Sequence, residues 1–424
     1  MIASRQPLIQ DLRTTLFAPN PSVCAGVPAI GVELELLPVS DDTGRRVPTW
    51  GPRRSLMAVL RPLAQRLSWR EELSAKGSPV FFLPGGSSIT FEPGGQLELS
   101  IRPHGSVSQL MHELNLVQGL CDRACADQGI TLHATGIDGE NPIEDVPLQF
   151  DCDRYRRMAA YFDHIGPAGV RMMRQTAALH VNLDLGDRLT DRWRMLNAAA
   201  PVLVAMFANS NRYEGTATGC RSYRAETWRT LDWSRTGLAD RGQSTDAVTD
   251  YLNFALDARS MLHDPIEGEY LPFGTLWDEG RVDIQDWQLH LTTLFPEIRP
   301  RGYFEVRALD AMSPSDAAAP IAMMTGLCYD DRSLGQAVDL LGTPRTALLH
   351  VAGQRGLDDT RLASLACQLV DIGLAGCRRL GSDVVEPGDL ERAEDFFNRY
   401  TRRRRCPADD DRQADSRVAV GVGG

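Results

Sequence analysis

Apolar and polar residues alternate in four short runs of the chain, and such alternation puts the two kinds of side chain on opposite faces of an extended strand. In "GVELEL", Glu33 and Glu35 oppose Val32, Leu34 and Leu36. In "QLELSI", Gln96 and Glu98 oppose Leu97, Leu99 and Ile101, just after Glu92 and a Pro-Gly-Gly. "LHVNLDL" sets His180, Asn182 and Asp184 against Leu179, Val181, Leu183 and Leu185. "YFEVRA" sets Glu305 and Arg307 against Phe304 and Val306. An ordinary half-buried strand shows Thr, Ser or Lys on its wet face, whereas these show mainly acids.

Helical periodicity fills the stretches between. "RRSLMAVLRPLAQRLS" is amphipathic, and "SVSQLMHELNLVQGLCDRACADQG" reads as a long helix capped by Ser106 or Ser108 and closed by Gly129. Strands mixed with helices, without regular βαβ spacing, predict an α+β fold with a mainly antiparallel sheet. Residues 1–28 read as a helical lead-in and 29–342 as the main domain. A "TPRT" break opens a helical segment over 343–404, and 405–424 reads as a disordered tail.

At 424 residues and 43% hydrophobic, the chain can bury a large core. Its formal charge of −11 argues against a nonspecific nucleic-acid or anionic-membrane binder. No run of about 18 apolar residues and no signal peptide is read, so no membrane partner is expected. Nine scattered cysteines without a CxxC fit a reducing cytoplasm. The basic residues are 44 arginines and one lysine, Lys76. Lys76 has no GxxxxGK[ST] around it, so there is no P-loop, and any ATP must be held by arginines and metal ions.

One acidic strand face is a common solvated surface. Four of them in one sheet would crowd carboxylates that repel, an arrangement that persists where a cation binds. Carboxylates with one His and one Asn suit a hard cation such as Mg²⁺, and no HExxH or Cys/His cluster points to zinc. Candidate phosphate or carboxylate clamps are Arg221, Arg224, Arg229 and Arg235, with Arg299, Arg301 and above all Arg307. The residues alone therefore predict a Mg-nucleotide enzyme performing phosphoryl transfer, its phosphate acceptor unspecified.

Together "GVELEL", "FEPGGQLELS", "HVNLDL", "FANSNRYEGTATGCRSYRAETWRTLDWSRTG" and "RPRGYFEVRALDA" resemble, in order over about residues 29–330, the plant and bacterial type of glutamate–cysteine ligase, including its actinobacterial ergothioneine-pathway branch. The resemblance implies a glutamine-synthetase-like fold, a curved antiparallel sheet forming a funnel with helices outside. It implies ATP-dependent joining of glutamate and cysteine through γ-glutamyl phosphate. By motif position, Glu33, Glu35, Glu92, Glu98, His180 and Glu305 would hold Mg²⁺ or support it. Asn182, Arg224 and Arg307 would lie near phosphates or the glutamate carboxylate, with Arg224 and Arg307 catalytic and Gln96 on the same surface. "TAALH" before Val181 and "SIRPHGS" after Leu99 depart from the plant pattern, and these departures bear on the amine pocket. Ligation to another amine, or a kinase that stops at the phosphorylated product, are the competing activities.

Overall fold

A nine-stranded sheet organises the protein, here in a computed structural model that describes residues 4–19, 27–74, 77–238, 246–345 and 347–410. Lys76 and tail residues 411–424 lie outside the described residues. In chain order the strands are β1 (Ile30–Ser40), β2 (Arg70–Leu73), β3 (Pro79–Phe82), β4 (Ser88–Phe91), β5 (Leu97–His104), β6 (Ile130–His133), β7 (Ala178–Asp184), β8 (Arg212–Tyr213), β9 (Thr216–Ala217), β10 (Ile298–Pro300) and β11 (Tyr303–Asp310). The sheet runs β10-β11-β7-β1-β5-β4-β3-β2, with β6 pairing the end of β1, while β8 and β9 form a separate ribbon. Every ladder is antiparallel, as the irregular spacing of strands and helices predicts.

The four alternating runs are direct neighbours, in the order β11-β7-β1-β5. Residues opposite one another across an antiparallel pair share a face, so register decides which side chains meet. Glu33 lies opposite both Ser100 and His180, and Glu35 lies opposite Glu98. Glu305 lies opposite Asn182 on one side and Arg299 on the other. Between Val306 and Leu309, β11 carries one residue more than β7, a bulge that re-aims Arg307.

The other face of these strands is apolar. Val32, Leu34, Leu36, Leu97, Leu99, Leu179, Val181, Phe304 and Val306 are fully buried. They pack under the helices Val107–Ala126, Leu189–Met206 and Pro314–Tyr329. Each such side chain contributes about 1.5–3 kcal/mol by leaving water. Ser106 caps the first of these helices by accepting from the Gln109 amide. The second is buried nearly all round, which explains its unbroken apolar run.

Four more helices, Asp331–Leu341, Ala347–Arg355, Thr360–Leu380 and Pro387–Arg399, cover the Pro314–Tyr329 helix and its neighbours. Pro314–Tyr329 crosses Thr360–Leu380 at glycines: a Cβ on Gly326 would stand 2.0 Å from the Gly373 carbonyl oxygen. The expectation of a tail disordered from residue 405 needs correction for 405–410. There the Tyr400 hydroxyl donates to Asp410 at 2.6 Å, Arg405 pairs with Asp410, and Asn211 donates to the Ala408 carbonyl at 2.7 Å. A charged, proline-containing stretch looks like a tail in sequence, but Asp410 meets nearby Tyr400 and Arg405, and Asp409 meets the distant Arg221.

The glycine crossing makes a stability prediction. Gly326→Ala forces the two helices apart and should cost about 1–3 kcal/mol or more, the range for overpacking. Gly335, inside Asp331–Leu341, has open space where a Cβ would go, so Gly335→Ala should hold or raise the thermal midpoint. Equal midpoints for the two variants would rule out the close crossing.

Candidate active site

β1 supplies two carboxylates to two different groups. Glu33, His180 and Glu305 bring ligand atoms within 4.8 Å of one another, and so do Glu35, Glu92 and Glu98. Glu33, Glu35, Glu92, Glu98 and His180 line a cavity of about 390 Å³, together with Arg224, Arg299, Arg301 and Arg307. A larger groove of about 1160 Å³ lies by the Val107–Ala126 helix, away from both acid groups. Its charges largely satisfy one another, as in His104–Glu113 at 2.6 Å and Arg392–Asp389 at 2.5 Å.

The two groups differ in charge state. In the first, Glu305 has no exposed surface and takes a two-pronged bond from Arg299, at 2.5 and 2.9 Å, with Arg307 at 3.0 Å and Arg301 at 3.4 Å. Burial opposes its ionisation, but Arg299 and Arg307 hold it well below the usual carboxylate range. Burial also opposes Glu33, yet the bond from His180 Nδ1 at 3.1 Å helps leave it below its ordinary value. Burial and then the Arg307 charge push His180 down to about 4, so its ring is neutral at pH 7, with Nε2 buried and without a partner. In the second group the acids face one another. Burial, then the Glu92 charge, pushes Glu35 up to about 8. Burial and the charges of Glu33, Glu92 and Glu35 push Glu98 well up, although the Thr90 hydroxyl donates to it at 2.6 Å.

The turn that carries Glu92 is held from behind. Gly94 packs directly on the Arg174 backbone, 2.2 Å from the carbonyl oxygen for any added Cβ, and Gly95 has a φ of +80°. Arg46 donates to the Gly94 carbonyl at 3.0 Å. The Gln96 amide is spent on the same turn: its oxygen accepts from Gly94 and its nitrogen donates to the Thr176 carbonyl at 2.8 Å. Gln96 thus braces the site floor.

Of the other residues singled out in the sequence, Asn182 donates to Glu33 at 3.1 Å and keeps a buried oxygen without a partner. Neither Asn182 nor Glu305 is at the cavity surface. Arg224 donates to the Arg307 carbonyl at 2.9 Å, stacks 4.7 Å over the Trp228 ring, and leaves Nε without a partner, as does Arg307. Asp184 turns instead to Arg192 at 3.0 Å. Arg221, Arg229 and Arg235 are not at the cavity. They pair with Asp358 and Asp409, with Glu226, and with Asp232. No motif marks Arg154, Tyr155, Met158, Met172 or Met173, which also line the cavity from the helices Asp153–Ile165 and Pro167–Gln175. Arg154 is one arginine among 44, and the others look like ordinary core residues.

Residues 29–366 match the model of glutamate–cysteine ligase family 2. The chain is 33% identical over 374 residues to glutamate–cysteine ligase EgtA of Mycolicibacterium smegmatis, a match covering 84% of each chain. It is 28% identical over 357 residues to the chloroplastic glutamate–cysteine ligase of Solanum lycopersicum, covering 76% of this chain and 66% of the relative. Among solved structures it resembles a glutamate–cysteine ligase of Francisella tularensis crystallised with AMP, at 17% identity and a TM-score of 0.54, over 90% of this chain and 83% of that one. That likeness is one of fold, and the fold is glutamine-synthetase-like. With its acid and arginine motifs gathered on one sheet, this chain belongs to the glutamate–cysteine ligase family.

Proposed function

We propose that the protein joins the γ-carboxylate of glutamate to the amine of cysteine, using ATP, by way of γ-glutamyl phosphate. The observation that carries this reading is the meeting of two carboxylate groups and five arginines at one cavity. Such a site can neutralise a triphosphate without a P-loop and orient a second, anionic substrate.

The donor set fits Mg²⁺: it is almost all carboxylate oxygen, with one unpartnered imidazole nitrogen at His180. Glu35, Glu92 and Glu98 would hold one ion, and Glu33 and His180 another, with Glu305 as a direct support behind the cavity surface. Mg²⁺, when bound there, would neutralise phosphate charge and draw the triphosphate to the acidic wall. Arg307 and Arg224, each with an uncommitted Nε, would lie over the transferring phosphoryl group or the glutamate carboxylate. Asn182 would keep Glu33 oriented, and Gln96 would keep the Glu92 turn in place beneath the nucleotide.

In the first step an oxygen of the glutamate γ-carboxylate bonds to the γ-phosphorus, and the bond to the ADP oxygen breaks. In the second the cysteine amine, having lost a proton, bonds to the acyl carbon and phosphate leaves. Tyr155, Met158 and Met172 give the cavity a soft, apolar wall suited to a thiol side chain. A reducing cytoplasm suits both a thiol substrate and the buried thiols of Cys121, Cys125, Cys328 and Cys377. None of the described helices is long and apolar enough to cross a membrane.

Glu98→Gln should nearly abolish turnover. Because it relieves repulsion, it should keep or raise the thermal midpoint without Mg²⁺, and it should shrink the upward shift that Mg²⁺ produces in the unchanged protein. Retained activity, or an unfolded variant, would remove Glu98 from the metal site.

Arg307→Gln should slow the reaction by about 10²–10³-fold, the scale of losing one charge partner of the transition state. Arg307→Lys should recover only part of that, since an ammonium lacks the planar fork. Full recovery with lysine would argue that charge alone matters at this position.

Hydroxylamine tests the intermediate. With ATP, Mg²⁺ and glutamate but no cysteine, it should give γ-glutamyl hydroxamate with one ADP per product. AMP and pyrophosphate in place of ADP would mean an adenylate and refute the phosphoryl route.

A further inference from the structure

Arg224 sits in the first turn of the helix Tyr223–Leu231, so its position depends on how that helix begins. Ser222 caps the helix by accepting from the Ala225 amide at 3.0 Å. On the inner side the start is tied to the end of β11. Asp310 accepts from the hydroxyls of Ser222, at 2.9 Å, and Ser210, at 2.6 Å, while Ser210 Oγ accepts from the Arg224 amide at 3.2 Å.

The outer side is closed by the far end of the described chain. The Ala408 amide donates to the Ala208 carbonyl at 3.0 Å, and Asn211 donates to the Ala408 carbonyl. Ala208, Cys406 and Ala408 bury one another in a small cluster separate from the main core. Arg221, three residues before Arg224, pairs through Nε with Asp409 at 2.8 Å and through Nη2 with Asp358 at 2.7 Å. The two pairs are not equivalent. The side chains of Arg221 and Asp409 are 9% and 14% exposed, while Asp358 is 57% exposed. A desolvated pair is costly to break, because the partner left behind keeps its charge without water. An exposed pair contributes little.

We propose that the segment 406–409 is a clasp on the ligase site, and that Asp409 is a positioning residue that acts through Arg221 to set Arg224. The loop 208–222 is gripped between Asp310 and the clasp, and Arg224 leaves that grip within one helical turn. A displacement of about 1 Å at a substrate-facing group can cost a hundredfold in rate. This inference rests on the reading of Arg224 as a group that faces the substrates.

The test is a double-mutant cycle in the full chain. Asp409→Asn keeps the shape, and an oxygen to accept from the Cys406 amide as Asp409 does at 3.0 Å, but removes the charge. It should lower kcat by about 10- to 100-fold, with KM for cysteine within twofold, and it should lower the thermal midpoint more than the change at the exposed Asp358 does. Asp358→Asn, at the exposed partner of the same arginine, should change kcat by less than twofold. If Asp409 acts through Arg224, then in an Arg224→Lys background Asp409→Asn should have almost no further effect. Should Asp409→Asn fail to fold, Arg221→Lys interrupts the same link with the charge kept and is read in the same way. A damaging Arg224→Lys combined with an additive Asp409→Asn overturns the clasp alone. An innocuous Arg224→Lys overturns the reading of Arg224, and the clasp's role with it. Unchanged kcat in Asp409→Asn overturns the clasp directly.

Discussion

Repulsion between carboxylates on adjacent strands is the constraint around which this protein is built. Glu35 and Glu98 face each other across the β1–β5 ladder, and Glu92 joins them from the neighbouring turn. Like charges in such positions destabilise a sheet. The fold offsets this cost by burying a continuous apolar face on the reverse of the same strands. The stability that holds β1 beside β5 comes from Leu34, Leu36, Leu97 and Leu99, and the acids are carried with them. Separating the two tasks by face lets one strand serve both.

The two acid groups resolve their charge differently. Glu305 is neutralised by arginines from its own strand, from β10 and from the connection between them, which leaves it ionised and rigid. Glu35 and Glu98 lack such direct partners and lean toward the protonated form instead. Glu305 is therefore set in place by cations of the protein, while Glu35 and Glu98 are left open to a cation from outside. Arginine suits the first task, because its fork fixes direction as well as charge.

Much of this was legible in sequence because a period of two is hard to misread. Once "GVELEL" and "QLELSI" are strands, Glu33 and Glu35 must share a side of the first, and Gln96 and Glu98 a side of the second. The sheet order was not legible from the pattern, since alternation says which face a residue takes but not which strand lies next to it. The resemblance to a known family implied a curved antiparallel sheet but not its strand order, which the structure shows. Arg154, Met158 and Met172 escaped because a helix that lines a cavity shows the same apolar stripe as one that lines a core. The ordered stretch 405–410 escaped because its partners, Ala208, Asn211 and Arg221, are nearly two hundred residues away and carry no local mark.

The order of strands in the sheet has a consequence for how the site comes into being. β1 begins at residue 30, but its neighbour β7 begins at Ala178 and the outer strand β11 only at Tyr303. Glu33 and His180, in direct contact, are 147 residues apart in the chain. Contacts of such long range form late, after a large loss of chain entropy. During synthesis the N-terminal strands leave the ribosome with their carboxylates dispersed, and no fragment ending before β11 holds both acid groups. A product truncated within the first three hundred residues therefore lacks Glu305 and Arg307 and carries at most the group of Glu35, Glu92 and Glu98.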